Sequence, residues 1–337
     1  MGLKNIHSFF FLLCFIISSS AGYGQDPHFS QYFSSPLTFN PAMTGYFNGA
    51  HRFSFNVRNQ WAALGDPYTT GTASFDTKIF KNAIGSNDRW GLGVHALYDQ
   101  SSGGIYKNSY LSVSTGFNKG LDAEGDQSIG IGVQASIAGN SVDFSKISFN
   151  SQFTGGGFDL SIPSGETILN RAITYVDLNA GILYNYTDES GNQFSLGAAM
   201  FHILRPKLSY FSNNNPQLAQ RFTIHAGAGF AVGEQDNIFV TAHLMEQGGA
   251  NEYVLGAAYG ITLGTSDKQL YTGAWLRVND AVYPYLGLRA NEYQVGLSYD
   301  ITRSGISRVN KWSGSTELSF IYYFNNSGKK KGIPCFF

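Results

Sequence analysis

The sequence predicts an all-β protein, a transmembrane antiparallel β-barrel of about 14 strands with an N-terminal plug or latch. Two observations predict it: short segments alternate apolar and polar residues, and an export signal precedes them. The clearest segment places apolar residues at every second position: Ile129, Ile131, Val133, Ala135 and Ile137. Such a strand has one face for lipid and one for water. The combination predicts the outer membrane of a Gram-negative cell.

Residues 1–24 have the features of a cleavable signal peptide. Lys4 supplies the positive charge, and residues 9–17 form an apolar core much shorter than the roughly 20 residues of a spanning helix. Gly22 and Gly24 place small residues before a predicted cut at Gln25. After cleavage Cys335 is the only cysteine, so we expect no internal disulfide.

The composition separates classes of membrane and soluble protein. Charged residues make up 13% of the chain, aromatic residues 15%, and the mean hydropathy of −0.13 is too polar for a helical membrane protein. A soluble two-domain β-sandwich is the competing class, but it would have fewer apolar faces. Without Lys4 the chain has 21 basic and 23 acidic residues, a net charge of −2, so no bulk positive charge recruits nucleic acid.

The barrel is predicted to span residues 51–325, and the connections between its strands differ in length. Every even-numbered connection is short and rich in Gly, Asp and Asn, whereas the long ones, near 139–170, 205–219 and 302–314, are all odd-numbered. This parity predicts short turns and both chain ends on the periplasmic side. Residues 326–337 then form a basic periplasmic tail, either a solvated end or a partner site.

Two strands differ from the others. The closing strand has an aromatic lipid face, formed by Phe320, Tyr322 and Phe324, of the kind that barrel-assembly machinery reads. The strand near 282–289 contains Pro284, which a regular sheet tolerates only at an edge or a bulge.

Residues 25–50 are too irregular for a spanning strand and too aromatic for a disordered tail. We interpret them as a plug or latch in the lumen or at the periplasmic mouth. Pro27, Pro36 and Pro41 would reduce the entropy lost when the segment docks. The alternative is a periplasmic arm that becomes ordered only on a partner.

No pattern of catalytic or metal-binding residues accompanies the barrel. His202, His225 and His243 fall in successive strand-like runs without metal-ligand spacing, and Ser195 with His225 is a weak candidate for a hydrolase pair. We therefore predict no catalytic residue, no metal and no cofactor. Charged residues on the wet faces are expected to knit the interior together, with a solute path as the alternative.

Several motifs in order carry a family resemblance. They comprise Asp26, Pro27, His28, Phe29, Gln31 and Tyr32, then Asn40, Pro41, Ala42 and Gly45, then Arg58, Asn59, Gln60 and Trp61. These motifs resemble the N-terminal signature of the PorP/SprF family of the type IX secretion system. Further similarity in His202-Ile203, Ser298-Tyr299-Asp300 and the lysine-rich tail extends the resemblance over nearly the whole mature chain.

The resemblance implies an outer-membrane barrel that supports secretion or surface anchoring of a partner adhesin, in a family linked to gliding motility. Expected partners are the adhesin or its C-terminal domain, other periplasmic and outer-membrane secretion components, and outer-membrane lipid. The long loops would face this client through Phe149, Phe153, Phe158, Tyr210 and Phe211, or else fold inward and constrict the pore. The alternative function is a transporter of hydrophobic solutes resembling the FadL family, which also fits Asn40-Pro41-Ala42.

Overall fold

The computed structural model describes residues 24–81, 83–211, 216–233, 235–264, 268–305 and 314–324. Fourteen antiparallel strands form a closed barrel in which each strand pairs with its neighbours in sequence and β1 pairs with β14. The strands are β1 (His51–Gln60), β2 (Tyr68–Ile79), β3 (Arg89–Ser101), β4 (Tyr106–Gly120), β5 (Gln127–Val142), β6 (Ala172–Thr187), β7 (Gln193–Phe201), β8 (Arg221–Val232), β9 (Asp236–Gln247), β10 (Ala250–Thr262), β11 (Lys268–Arg277), β12 (Ala281–Ala290), β13 (Tyr293–Thr302) and β14 (Ser315–Phe324). The predicted antiparallel β-barrel of about 14 strands is confirmed.

Alternation along the strands separates a lipid face from an inner face. In β5, Ile131 and Val133 are 62% and 56% exposed, whereas Gln134 between outward neighbours is buried. The closing strand follows the same pattern, with Leu318 outward and Ile321 inward. Because apolar side chains on the outside of a closed barrel find no protein partner, this surface matches a bilayer.

The two ends of the barrel differ, as the connection lengths predict. We call the end with the connections after β2, β4, β6, β8, β10 and β12 the turn end, and the opposite one the loop end. The loop end carries residues 143–171 and, between β7 and β8, the described residues 202–211 and 216–220. Phe324 ends β14 at the turn end, and the predicted tail that follows lies outside the described residues.

Both chain ends were predicted to lie on the side of the short turns. For the start of the mature chain this prediction is wrong. Gly24 lies beside Gly248, in the connection between β9 and β10 at the loop end. The backbone N–H of Asp26 donates to Oε1 of Gln247 at 2.7 Å. The reason is a set of inward polar side chains at the loop end, which provides partners that the irregular segment cannot provide for itself. Residues 1–23, the rest of the predicted signal peptide, lie outside the described residues.

Helices are short and lie before the barrel and in its connections. One α-helical turn, α1 (Pro36–Phe39), stands between 3₁₀ turns at Tyr32–Ser34 and Pro41–Met43, and further 3₁₀ turns occur at Ala62–Leu64, Ser102–Gly104, Phe144–Lys146 and Asn150–Gln152. In the described part of the chain, no helix has the length and apolarity needed to cross a membrane.

Pro284 occupies a regular strand and not an edge. The ladder between β12 and β13 is interrupted at Tyr283 and Pro284 and resumes at Tyr285, which pairs with Ser298. Since proline has no N–H to donate, this local interruption accommodates it within a closed sheet.

Candidate functional site in the barrel lumen

Residues 24–50, called here the N-terminal segment, run through the lumen from the loop end to the turn end. Near its start Ser30 contacts Asp300 of β13, in its middle Asn40 contacts His225 of β8, and near its end Phe47 packs against Tyr323 of β14. Side chains on opposite walls of the barrel thus meet one continuous segment. The alternative interpretation, a periplasmic arm that becomes ordered only on a partner, predicts a segment without such contacts.

The Asn-Pro-Ala motif forms a cap that also binds the wall. The side chain of Asn40 accepts a hydrogen bond from the N–H of Ala42 at 2.9 Å, and Pro41 occupies the first helical position, where its missing N–H costs nothing. The Asn40 amide donates to the carbonyl oxygen of Ile182 and lies 3.0 Å from Nε2 of His225. One side chain therefore joins the turn to β6 and β8.

A row of inward glycines receives this motif. Gly91, Gly116, Gly132 and Gly181 are direct cross-strand neighbours on β3 to β6. A Cβ added at any of them would overlap the N-terminal segment: Gly45 and Thr44 at Gly91, Thr44 at Gly116, Pro41 and Ala42 at Gly132, and Asn40 at Gly181. Gly91, Gly116 and Gly132 are therefore needed for close approach of two backbones, and Gly181 is needed for close approach of the Asn40 side chain. Gly45 faces the row with a φ of +74°, a value that glycine adopts without strain.

Ser30 and Gln31 are held by a buried carboxylate of the closing strand. Their backbone N–H groups donate to the two oxygens of Glu317 at 2.8 and 2.9 Å. The Gln31 side chain donates to Ser298 Oγ and accepts from Ser319 Oγ. The backbone N–H and both side-chain polar atoms of Gln31 thus have partners on β13 or β14, which explains why the sequence places Gln at this position.

Two guanidinium groups converge on the Ser30 hydroxyl. Arg58 Nη1 and Arg277 Nη2 lie 2.8 and 2.9 Å from Ser30 Oγ, which itself donates to Asp300. Both arginines also form ion pairs with Asp300, and Arg277 forms another with Glu252. Since unpaired charges are costly to bury, this paired network favours the structural interpretation of the inner charges over a solute path.

A second network holds the start of the segment. His202, the first residue after β7, has Nδ1 2.6 Å from Asp177 and Nε2 2.5 Å from Asp26, and Arg221 also pairs with Asp26. Because carboxylates face both ring nitrogens, the imidazolium form satisfies both contacts. Burial lowers the pKa of His202, but Asp26 and Asp177 outweigh it and raise the pKa to about 9. Burial raises the pKa of Asp26, but His202 and Arg221 hold it well below its usual range.

The opposite wall binds the segment through aromatic rings. Tyr32 and Phe39 pack against His243 with ring centroids 4.6 and 5.2 Å apart, and Phe33 packs against Trp275 at 5.4 Å. Nε2 of His28 lies 2.8 Å from a carboxylate oxygen of Glu252. Near the turn end Asp76 accepts the N–H of Gly45 while paired with Arg52.

The predicted motif residues divide into two groups. The members inside the lumen are Asp26, Pro27, His28, Phe29, Gln31, Tyr32, Asn40, Pro41, Ala42, Gly45 and Arg58. Asn59 and Gln60 instead end β1 at the loop-end rim, and Trp61 follows with its ring against Tyr68. Phe320, Tyr322 and Phe324 lie on the outer face, and Phe53, Tyr293 and Phe75 respectively provide ring contacts there.

The loop residues predicted to face a client differ in exposure. Phe153 and Phe158 are 53% and 55% exposed and form an edge-to-face pair across an isolated bridge. Phe149, Tyr210 and Phe211 are half-buried. The last two contact Phe144, so they join the two long loops to each other.

The weak catalytic and metal candidates do not form a recognisable site. Nε2 of His225 faces Asn40, and Ser195 Oγ has no hydrogen-bond partner among the described residues. In the same part of the chain, no group of three His, Cys, Asp or Glu side chains could hold a metal ion.

The lumen contains small cavities at both ends. A cavity of 100 Å³ lies near the turn end, beside Tyr46 and Asn118, and one of 40 Å³ lies near the loop end, beside Asp26 and His95. They share no lining residue, and the Asn-Pro-Ala turn and the glycine row lie between them. A larger depression of 480 Å³ lies on the lipid-facing side, beside Ile131 and Phe222.

Sequence reasoning did not identify the glycine row or the acidic residues Glu252 and Glu317 as ligands of the segment. A signal was present for the glycines: Gly91, Gly116, Gly132 and Gly181 all fall on the wet parity of their strands. That the four glycines lie side by side at one level of the barrel becomes visible only once strand register is known.

Comparisons with known proteins agree with this architecture. The family model of the type IX secretion system membrane protein PorP/SprF matches residues 21–322. The toluene transporter TbuX of Ralstonia pickettii is similar in structure, with a TM-score of 0.52 and 11% identity over 90% of this chain and 96% of that one. A Pseudomonas aeruginosa FadL homologue gives a TM-score of 0.51 and 10% identity, covering 90% and 100% of the two chains. At such identities the likeness shows the fold alone.

A search of curated proteins found no match. The family and the fold together support an outer-membrane location. The family model covers most of the chain, and the resemblance seen in the motifs is confirmed. The chain therefore belongs to the PorP/SprF family of type IX secretion system membrane proteins.

Proposed function

We propose that this protein is a plugged outer-membrane barrel of the type IX secretion system that holds an exported adhesin, through its C-terminal domain, at the loop end. The filled lumen is the observation that carries the proposal. The N-terminal segment contacts walls on all sides, through the glycine row, Glu317 and the His202 network. A barrel closed in this way acts by binding at its surface, without catalysis.

The loop end supplies a surface suited to binding. The N–H of Leu169 donates to the carbonyl oxygen of Tyr210, and Ile168 bridges to Phe211, so loops 143–171 and 202–220 support each other. The exposed pair Phe153 and Phe158 projects from this platform. Exposed aromatic rings among Ser, Gly and Asn are the mixture that recognition surfaces use.

Replacing both exposed rings tests the proposal. We expect the Phe153→Ser, Phe158→Ser double variant to fold normally and to shed into the medium an adhesin that wild-type cells retain. Phe80→Ser is the matched control, because Phe80 is 57% exposed but lies at the turn end. Adhesin retained by the double variant, or lost equally from the control, would contradict the proposal.

A transporter of hydrophobic solutes is the second candidate function. The shared fold with a toluene transporter favours it. Transport would require the N-terminal segment to move, since the 100 Å³ cavity near the turn end and the 40 Å³ cavity near the loop end have no lining residue in common. Mass spectrometry of barrels purified in mild detergent tests this candidate: a hydrophobic solute retained in stoichiometric amounts would favour transport over anchoring.

A further inference from the structure

The cavity near the turn end, called here the turn-end cavity, is lined mainly by polar side chains. Its volume of 100 Å³ is several times the ~15 Å³ that a single water needs. It opens between the end of the N-terminal segment and the turn ends of β3 to β7. Its lining consists of Tyr46, Phe47, Asn48, Asn87, Arg89, Asn118, Gly125, Asp126, Ser128, Asn185, Tyr186, Thr187, Gln193 and Phe194.

Two buried amide side chains in this wall each have one polar atom that makes no hydrogen bond to the described residues. Nδ2 of Asn185 and Oδ1 of Asn118 are buried and have no hydrogen-bond partner among the described residues. Asn185 is 8% exposed and Asn118 is 1% exposed. Since buried polar groups are nearly always paired, unpaired groups at a cavity wall mark a place where water or a ligand supplies the partner.

The cavity also contains a cation without a counter-ion. Arg89 stacks over the Tyr46 ring at 5.0 Å, and no carboxylate among the described residues lies within ion-pair distance of it. Nearby Lys119, by contrast, is paired with Asp88 at 2.9 Å. An arginine held at a cavity wall in this way is suited to a carboxylate, which it can bind through two parallel hydrogen bonds.

The second charged residue in the lining, Asp126, distinguishes a small anion from a peptide as the ligand. Asp126 lines the same cavity and would repel a free carboxylate, but it can accept hydrogen bonds from amide N–H groups. Arg89 and Asn185 offer donors, while Asp126 and Asn118 offer acceptors. A polypeptide presents both kinds of group along its backbone, whereas a simple carboxylate presents acceptors only.

We infer that the turn-end cavity binds an extended segment of a partner polypeptide and places one acidic side chain of that segment against Arg89. This interaction goes beyond the proposed anchoring role, because the cavity and the exposed loop rings lie at opposite ends of the barrel. The two proposals therefore fail independently.

Calorimetric titration of the purified full-length barrel in detergent tests the inference. The probes are the peptide acetyl-Gly-Asp-Gly-Asp-Gly-amide, its counterpart with Asn in place of Asp, and acetate. We expect the Asp peptide to bind, and its affinity to fall about tenfold or more in Arg89→Ala and in Asn185→Leu, as the loss of a charged or buried hydrogen bond implies. Lys119→Ala removes a positive charge at the same end outside the lining, and should leave the affinity unchanged.

The other arms of the titration make the inference falsifiable. The Asn peptide should bind about tenfold more weakly than the Asp peptide, and acetate should bind more weakly than either. Acetate binding as tightly as the Asp peptide would show a small-anion site and overturn the polypeptide assignment. Undetectable binding at millimolar peptide, or equal affinity in wild type and Arg89→Ala, would overturn the site. Heat-modifiable gel mobility checks that each variant is folded.

Discussion

Adding one methyl group at Gly132 should loosen the N-terminal segment. The Cβ of alanine would overlap the carbonyl carbon of Pro41 and the backbone nitrogen of Ala42, and neither is a flexible side-chain end that could swing aside. Overpacking of this kind costs about 1–3 kcal/mol. Since about 1.4 kcal/mol corresponds to a factor of ten, docking should weaken about 5- to 150-fold.

The assay follows a buried thiol in the segment. Ser34 is fully buried and its Oγ has no hydrogen-bond partner among the described residues, so Ser34→Cys is a small change. In a background where Cys335 is replaced by Ser, maleimide labelling of this thiol measures how often the segment opens. We expect Gly132→Ala to raise the labelling rate by the factor given above.

Gly71→Ala provides the control for a glycine in a strand. Its added Cβ comes no closer than 4.0 Å to its nearest neighbour, the carbonyl oxygen of Asn56. This change should leave labelling at the wild-type rate, and should stabilise the strand slightly because alanine loses less entropy on folding. An unchanged labelling rate in a folded Gly132→Ala barrel would refute the close-approach argument.

Three further predictions concern pH, lipid and topology. Because the pKa of His202 is raised to about 9, its contribution to docking is complete below its unfolded pKa of about 6.5 and is lost as the pH rises through 9. Deprotonation of the thiol speeds labelling of Ser34→Cys in every variant over this window, so the measured quantity is the labelling rate of wild type divided by that of His202→Asn, and this ratio should increase with pH. Leu318→Arg places a charge on the lipid face at a cost of about 2–4 kcal/mol near midplane, so the heat-modifiable folded fraction should collapse, and a normal yield would show that this face is misassigned. In intact cells an impermeant reagent should label Gly156→Cys and spare Gly125→Cys; the reverse pattern would invert the barrel.

The strands were predictable because a membrane imposes a period of two on every spanning segment. Ile131 and Val133 face outward by parity alone, and a one-residue slip would bury them in the polar lumen. The closing strand was predictable for the same reason. The placement of Pro284 within a paired strand was not predictable from the sequence, because only the pairing of β12 with β13 shows where a missing N–H is tolerated.

The direction in which the N-terminal segment runs through the lumen was not predictable. Residues 25–50 have no period, and their partners lie far along the chain: Ser30 pairs with Asp300, and Asp26 with His202. Aromatic and proline content indicated that the segment packs against something. Its direction depends on which end of the lumen carries the matching charges, and a single sequence does not show how inward residues of different strands align.

Disulfide trapping across the lumen tests the central claim, that the N-terminal segment lies inside the closed barrel, most directly. Oγ1 of Thr44 and Oγ of Ser114 lie 2.9 Å apart, the segment against β4. In the background lacking Cys335, we expect Thr44→Cys with Ser114→Cys to crosslink nearly completely under mild oxidation, seen as a gel shift that reductant reverses. Thr44→Cys with Ser298→Cys, whose partner in the segment is Gln31, should stay uncrosslinked. Two freely maleimide-reactive thiols and no crosslink in the first pair would contradict the claim.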